Sequence, residues 1–166
     1  MITELPEQLI SQAEFLLREA TFNEANIRRA VSSAYYALFH LLIRDAVVNW
    51  KHADQHARLA RIFDHKRMKD ASIAVLKEIG NLPNQATAGA DTEQASRFRL
   101  STVAQAFVDL QQARHRADYD IGEPFGSVDA AVDVAQARLA FVTWAEVRDE
   151  PLAQRYLYSL LFRDRA

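Results

Sequence analysis

The chain reads as an all-α protein, an up-and-down bundle of four to five long helices followed by a short C-terminal helix. Three observations predict this. Only 4 Gly and 4 Pro occur in 166 residues, so long stretches run without a breaker. Ala, Leu, Gln, Glu and Arg, the better helix formers, are abundant. Apolar residues recur at steps of three and four, and no stretch combines strand-like alternation with turn signals. Long helices with short connections pack as antiparallel neighbours. With a hydrophobic fraction of 49% the chain can bury a core, and residues 1–166 show no internal repeat or boundary, so one helical domain is expected.

The first helix is expected from about Leu5 to Ala20, with Pro6 in its first turn, where a missing N–H costs nothing. Leu9, Ala13, Leu16 and Leu17 repeat at helical spacing. The second runs from about Asn23 to Trp50, opened by the capping-box spacing of Thr21 and Glu24. Ile27, Val31, Ala34, Leu38, Leu41 and Leu42 form one face; Ala30, Ala37, Phe39, Ile43, Val47 and Trp50 widen it over most of the circumference. A helix that apolar belongs at the centre of a bundle or in an interface.

The third helix spans roughly His52 to Ile79, with a break near Asp64 to Lys69 and Gly80 as its stop. Residues 81–90, with Pro83, Asn84 and Gly89, read as the longest loop. A fourth helix begins between Asp91 and Ser101, ends near Tyr119, and buries Val103, Phe107, Leu110 and Ala117. Gly122, Pro124 and Gly126 then impose a turn. Ser127 is placed to cap a fifth helix to about Arg148, with Val132, Ala135, Leu139 and Val142 inward. Pro151 restarts a short helix carrying Leu152, Tyr156, Leu160 and Leu161.

Composition bounds the function. The 20 basic and 22 acidic residues nearly cancel, so the broad positive footprint of a nucleic-acid binder is absent and no DNA-reading motif is present. Local basic clusters remain, at Arg58, Arg61, His65, Lys66, Arg67 and Lys69 and again at Arg114 to Arg116. There is no cysteine, hence no disulfide or thiolate metal site. No run of about 18 apolar residues could span a membrane, and the acidic start lacks the layout of a signal peptide; a cytoplasmic protein is expected. His52 and His56 have the spacing of two helical metal ligands but no third ligand follows, so neither a metal nor another cofactor is expected. Gly-rich phosphate loops and Gly-x-Ser-x-Gly elbows are missing.

Two segments carry most of the candidate chemistry. On the second helix Arg29, Ser33, Tyr36, His40 and Arg44 fall at steps of three or four and form one polar line. On the fourth, Arg114 and Asp118 can pair at four residues, as can His115 and Tyr119. Polar groups in buried helices need partners, so the two segments are expected to meet. An arginine held by a carboxylate is a good phosphate ligand, and a histidine exchanges protons near neutral pH. Such a set can bind or cleave a phosphodiester, or it can simply lock two helices together.

The run Ala30-Val31-Ser32-Ser33-Ala34-Tyr35-Tyr36-Ala37-Leu38-Phe39-His40 resembles a signature of the HEPN superfamily of helical domains, in the small bacterial branch with an Ala-Tyr-Tyr-Ala-x-Phe-His helix. Arg114-His115-Arg116-Ala117-Asp118-Tyr119-Asp120 resembles that branch's second motif, Arg-x-x-Ala-Asp-Tyr. The resemblance covers roughly Leu5 to Val147. It implies a bundle of four or more helices that often dimerises and a link to RNA, as in ribonuclease toxins of toxin–antitoxin or defence systems or companions of a nucleotidyltransferase-like partner. Ribonuclease members place an Arg and, four to six residues later, a His in a cleft between subunits. Here no histidine follows Arg116, and the one Arg–six residues–His match is Arg58 to His65 on the third helix.

Two functional expectations result. In the first, Arg114, Arg116, His40 and His115 act on RNA, with Arg29, Tyr36, Asp118 and Tyr119 binding the substrate or a nucleotide. In the second, the chain is a non-enzymatic helical module, a homodimer that binds a partner protein.

Overall fold

A buried helix in the first third of the chain organises the others. The computed structural model describes residues 4–19, 23–82, 90–122 and 124–162, and within them the chain forms helices and no strand. The helices are α1 (Leu5–Arg18), α2 (Glu24–Val48), α3 (His56–Ala60), α4 (His65–Asn81), α5 (Ala90–Tyr119), α6 (Ser127–Val147) and α7 (Pro151–Leu161). Helix α2 packs against α1, α5 and α6, while α4 lies between α5 and α7. Ala30, Val31, Ala34, Tyr35, Leu38 and Leu42 of α2 are wholly inaccessible, so the wide apolar girth read from the sequence is buried inside one chain. No described helix is long and apolar enough to cross a membrane.

Local chemistry shifts several boundaries. Thr21 lies outside the described residues, and α2 is instead capped by Asn23, whose side-chain oxygen accepts from the backbone N–H groups of Ala25 and Asn26. Glu24 turns to Arg28 in the same helix. The expected third helix is divided: α3 is a single short stretch after a 3-10 turn, and α4 starts anew where the Asp64 carboxylate accepts from Arg67 N. The break precedes His65 because Asp64 adopts extended backbone and caps. Gly80 sits in the last turn of α4 and does not stop it. Helix α5 begins at Ala90, ahead of the expected window. Gly126, not Ser127, occupies the cap position of α6, with no side-chain bond. Trp50 falls beyond α2 and is 45% exposed.

The largest correction concerns α6. Val132, Leu139 and Val142, expected inward, are 61%, 55% and 54% exposed, and Ala135 is exposed with them. The inner face is instead Ala130, Val134, Ala137, Ala140, Trp144 and Val147. Both rows are apolar at helical spacing, so periodicity alone cannot choose between them. The small residues win because alanines let α6 lie close against α2 and α5 and leave room for Trp144.

Trp144 brings its polar atom inside, where its indole N–H donates to Asp45 Oδ2 of α2 at 2.8 Å. The other Asp45 oxygen accepts from Arg44 Nε at 2.9 Å. Tyr156 of α7 and Ser72 of α4 share a hydrogen bond of 2.8 Å in the core. Asp45→Ala should therefore strand a buried indole donor and one face of Arg44 and cost about 2–4 kcal/mol. Urea unfolding is the check: the midpoint should fall while the slope stays constant.

Candidate functional site

The two motif segments do meet, and a third element joins them. Tyr35, Tyr36, Phe39 and His40 come from the middle of α2, His65 opens α4, and Arg114 and Asp118 lie in the last turns of α5. Because Asp64 caps α4, His65 is its first residue and its ring lies against the α2 aromatics. The ring centres of His65 and Phe39 are 4.2 Å apart, and those of His65 and Tyr36 5.9 Å. His65 Nδ1 and the Tyr35 hydroxyl share a hydrogen bond of 2.6 Å. Gln111 of α5 donates to the His65 carbonyl at 3.2 Å, tying α4 to α5.

Arg114 is held from several sides. Its Nη2 donates to the Tyr36 hydroxyl at 2.9 Å. Its Nε lies 2.7 Å from Asp118 Oδ2, an ion pair whose N–H is not aligned as a hydrogen bond. The guanidinium also stands 5.4 Å from the Tyr36 ring centre and 5.5 Å from that of Tyr119, within cation–π range of both. Ser32 donates to the other Asp118 oxygen. Arg28 caps the end of α5 by donating to the carbonyls of Arg116, Ala117 and Asp120. Thus Arg28 orients the cluster without belonging to it.

The polar line on α2 divides between two neighbours. Steps of three and four drift around a helix, and residues 29 to 44 cover roughly 80° of it. Ser33 donates to Gln12 at 3.0 Å and Arg44 to Glu7 at 2.7 Å, both on α1. Tyr36 and His40 face the cluster, their rings stacked at 6.3 Å. Arg29 is exposed and takes no part in it. On α5, His115 is exposed beside Tyr119, with ring centres 5.1 Å apart, and Arg116 is exposed over the Phe125 ring at 5.9 Å.

An open groove of about 690 Å³ runs over the outer face of α5, lined by Lys69, Asp109, Arg114, His115, Arg116 and Asp133. The structure therefore gathers Arg114, Arg116 and His115 at one groove, with Tyr36, Asp118 and Tyr119 supporting Arg114. His65 is the residue that sequence reasoning set aside. Its sequence signals were the spacing from Arg58 and a place in the basic run from Arg58 to Lys69, yet Arg58 and Arg61 are exposed and the cluster does not include them.

Burial sets the protonation states. It holds His40 below the usual imidazole range, with the His65 charge adding to the effect. His65 is lowered by burial first and by the Arg114 charge second. Both rings are therefore neutral proton acceptors near pH 7. Burial also pushes the Asp133 carboxyl up to about 6, against the pull of Arg116, and its buried Oδ2 has no hydrogen-bond partner. Among the described residues, no group of three or more His, Asp or Glu side chains is arranged to hold a metal ion; His56 Nε2 instead donates to the Trp50 carbonyl at 2.8 Å. Compared with family models, with curated proteins and with solved structures, the chain matches none.

Two pH effects are expected. Between the unfolded value of 6.5 and the lower folded values of His40 and His65, the unfolded chain binds more protons. Stability should consequently fall as the pH drops below 6.5. Ring-proton NMR should show both imidazoles titrating below that value, and His65→Gln should flatten part of the acid slope. For Asp133 the sign reverses. The native state binds more protons between 3.8 and about 6, so stability is lost as the pH rises through that window. Asp133→Asn should add about 1 kcal/mol at pH 8, a value discounted for partial exposure, and nothing at pH 3; thermal melts at the two pH values decide it.

Proposed function

We propose that this chain is a HEPN-like helical domain that binds a phosphate-bearing ligand, RNA or a nucleotide, at the Arg114 cluster, as a component of a toxin–antitoxin or defence system. One observation supports the reading: Arg114 is held at once by Tyr36 and Asp118, so the two segments that bear the resemblance meet at one side chain. An arginine whose fork is fixed before binding loses little freedom when a phosphate arrives. Arg116, Lys69 and His115 line the same groove and add positive charge. His40 and His65, neutral and half-buried, are the groups suited to take a proton from a ribose hydroxyl, which makes RNA cleavage one activity of this reading. The single domain over residues 1–166, the up-and-down arrangement around α2, a cytoplasmic location and a nucleotidyltransferase-like partner belong to the same proposal.

A second reading, a non-enzymatic module that works through protein contacts, is favoured by the outward apolar row of α6 and by the carboxylates of Asp109 and Asp133, which weaken the groove's field for polyanions.

Binding of a labelled single-stranded RNA and of a nucleoside triphosphate, followed by fluorescence anisotropy, separates the two. Arg116→Ala, at an exposed position, should weaken binding about tenfold and reduce the salt dependence by one contact, with unchanged circular dichroism. Arg114→Ala should abolish it and any RNA cleavage. Wild-type protein that leaves both probes unbound and RNA intact overturns the first reading.

A further inference from the structure

The α5 groove holds polar groups of both kinds, and one of them has unmet bonding capacity. Lys69, Arg114, His115 and Arg116 bring basic side chains to its lining, and Asp109 and Asp133 bring carboxylates. Asp109 is already engaged. Its Oδ1 accepts from Gln105 at 2.8 Å and its Oδ2 from Gln136 at 3.1 Å. Asp133, on α6, is half-buried, and its buried Oδ2 has no hydrogen-bond partner among the described residues. A carboxylate drawn partly out of water without a donor is costly, and such a group in a groove points to a ligand that supplies one. No hydrogen bond to a described residue fixes the carboxyl. An aspartate turns readily about its last side-chain bond, so either oxygen can be offered to the groove.

We infer that Asp133 reads the base of a bound nucleotide and selects guanine, accepting the N1–H and N2–H donors along one edge of that base. The inference rests on the phosphate reading and names the nucleotide that the same groove takes. The chemistry of the bases makes the choice. A carboxylate only accepts. Guanine presents two neighbouring N–H donors on its pairing edge. Adenine and cytosine set an amino donor beside a ring-nitrogen acceptor, and uracil sets its one N–H between two carbonyl oxygens. Each of those three turns a lone pair toward the carboxylate and is disfavoured.

The rest of the groove suits a nucleotide. Its volume of about 690 Å³ falls in the range of small-molecule sites. Arg114 and Arg116 meet the phosphate. His115 is exposed, with its ring 5.1 Å from that of Tyr119, and offers the base a face to stack on. Stacking suits every base, so it adds affinity without choosing, and selection falls to Asp133.

The choice depends on pH. The charges acting on Asp133 are Arg116 and Asp109 from α5 and Asp129 from its own helix, and Lys69 of α4 lines the same groove. Its carboxyl, raised to about 6 mainly by burial, is ionised above that value and only accepts. Below it the group gains an O–H donor and the match to guanine is lost. Charge changes on His115 or on the ligand phosphate act alike on every nucleotide, so the ratio between bases reports Asp133.

Isothermal titration calorimetry of the full chain with guanosine, inosine and adenosine monophosphates, at pH 8 and pH 5, tests this. At pH 8 the guanosine ligand should bind about tenfold more tightly than the adenosine one, with inosine, which lacks the 2-amino group, in between. At pH 5 the ratio should fall to about one. Asp133→Ala removes the carboxyl without breaking a hydrogen bond to a described residue. It should erase the preference at pH 8 while adenosine monophosphate still binds and circular dichroism is unchanged. The same comparison with two labelled single-stranded RNAs, carrying one guanine or one adenine in a run of uridines, separates the two sources of the base. A preference there as well assigns RNA, and a preference with the mononucleotides alone assigns a free nucleotide. Equal affinities at pH 8 overturn the inference and leave the phosphate reading standing. A guanine preference that survives Asp133→Ala overturns the role of Asp133. Failure of all these ligands to bind overturns the phosphate reading and this inference together.

Discussion

Helix α2 is buried along most of its length, and its buried polar side chains must therefore find partners on neighbouring helices. Ser33 reaches Gln12 on α1, Asp45 takes the Trp144 indole of α6, Tyr35 takes His65 of α4, and Tyr36 takes Arg114 of α5. An unsatisfied polar group in such a place costs more than a hydrogen bond returns. These contacts thus specify which face of each neighbour turns inward, while apolar burial supplies most of the driving force. Small residues let the neighbours come close: Ala30, Ala34 and Ala37 of α2 are wholly buried, as are Ala137 and Ala140 of α6.

The same constraint makes the candidate site. The α5 end could approach α2 only with its arginine compensated, and Asp118 one turn further on does so, itself held by Ser32. Arg28 fixes where α5 stops by taking its last carbonyls. What results is a guanidinium held by a tyrosine hydroxyl and a carboxylate, with two aromatic rings beside it, at the edge of water. Partial desolvation also keeps His40 and His65 neutral.

Helix α6 shows what happens when a helix has more apolar surface than its own chain can cover. Its inner row contains the residues small enough for a close approach, plus one tryptophan whose N–H has a buried acceptor. The larger aliphatic side chains are left outside. Two surfaces thus face water, one polar along α5 and the other apolar and regular on α6.

Much of this was legible in residue order. Helix identity follows from composition and spacing, and α2 was marked as central by apolar residues on nearly every side. That Arg114 would pair with Asp118 is a matter of four residues on one helix, and the polar groups of α2 demanded partners wherever the chain could bring them. Tertiary structure decided which partners. Ser33 and Arg44 went to α1 rather than to the site, because a line at steps of three and four slowly turns around the helix and meets two neighbours. His65 entered the cluster because Asp64 capped α4 one residue earlier. The choice between two equally periodic rows of α6 fell to packing distance. By itself the sequence determined the helices and the need for a buried polar junction, since both rest on local chemistry. Which side chains share the junction, and which apolar face stays uncovered, depends on distances between helices, and only the assembled chain sets those.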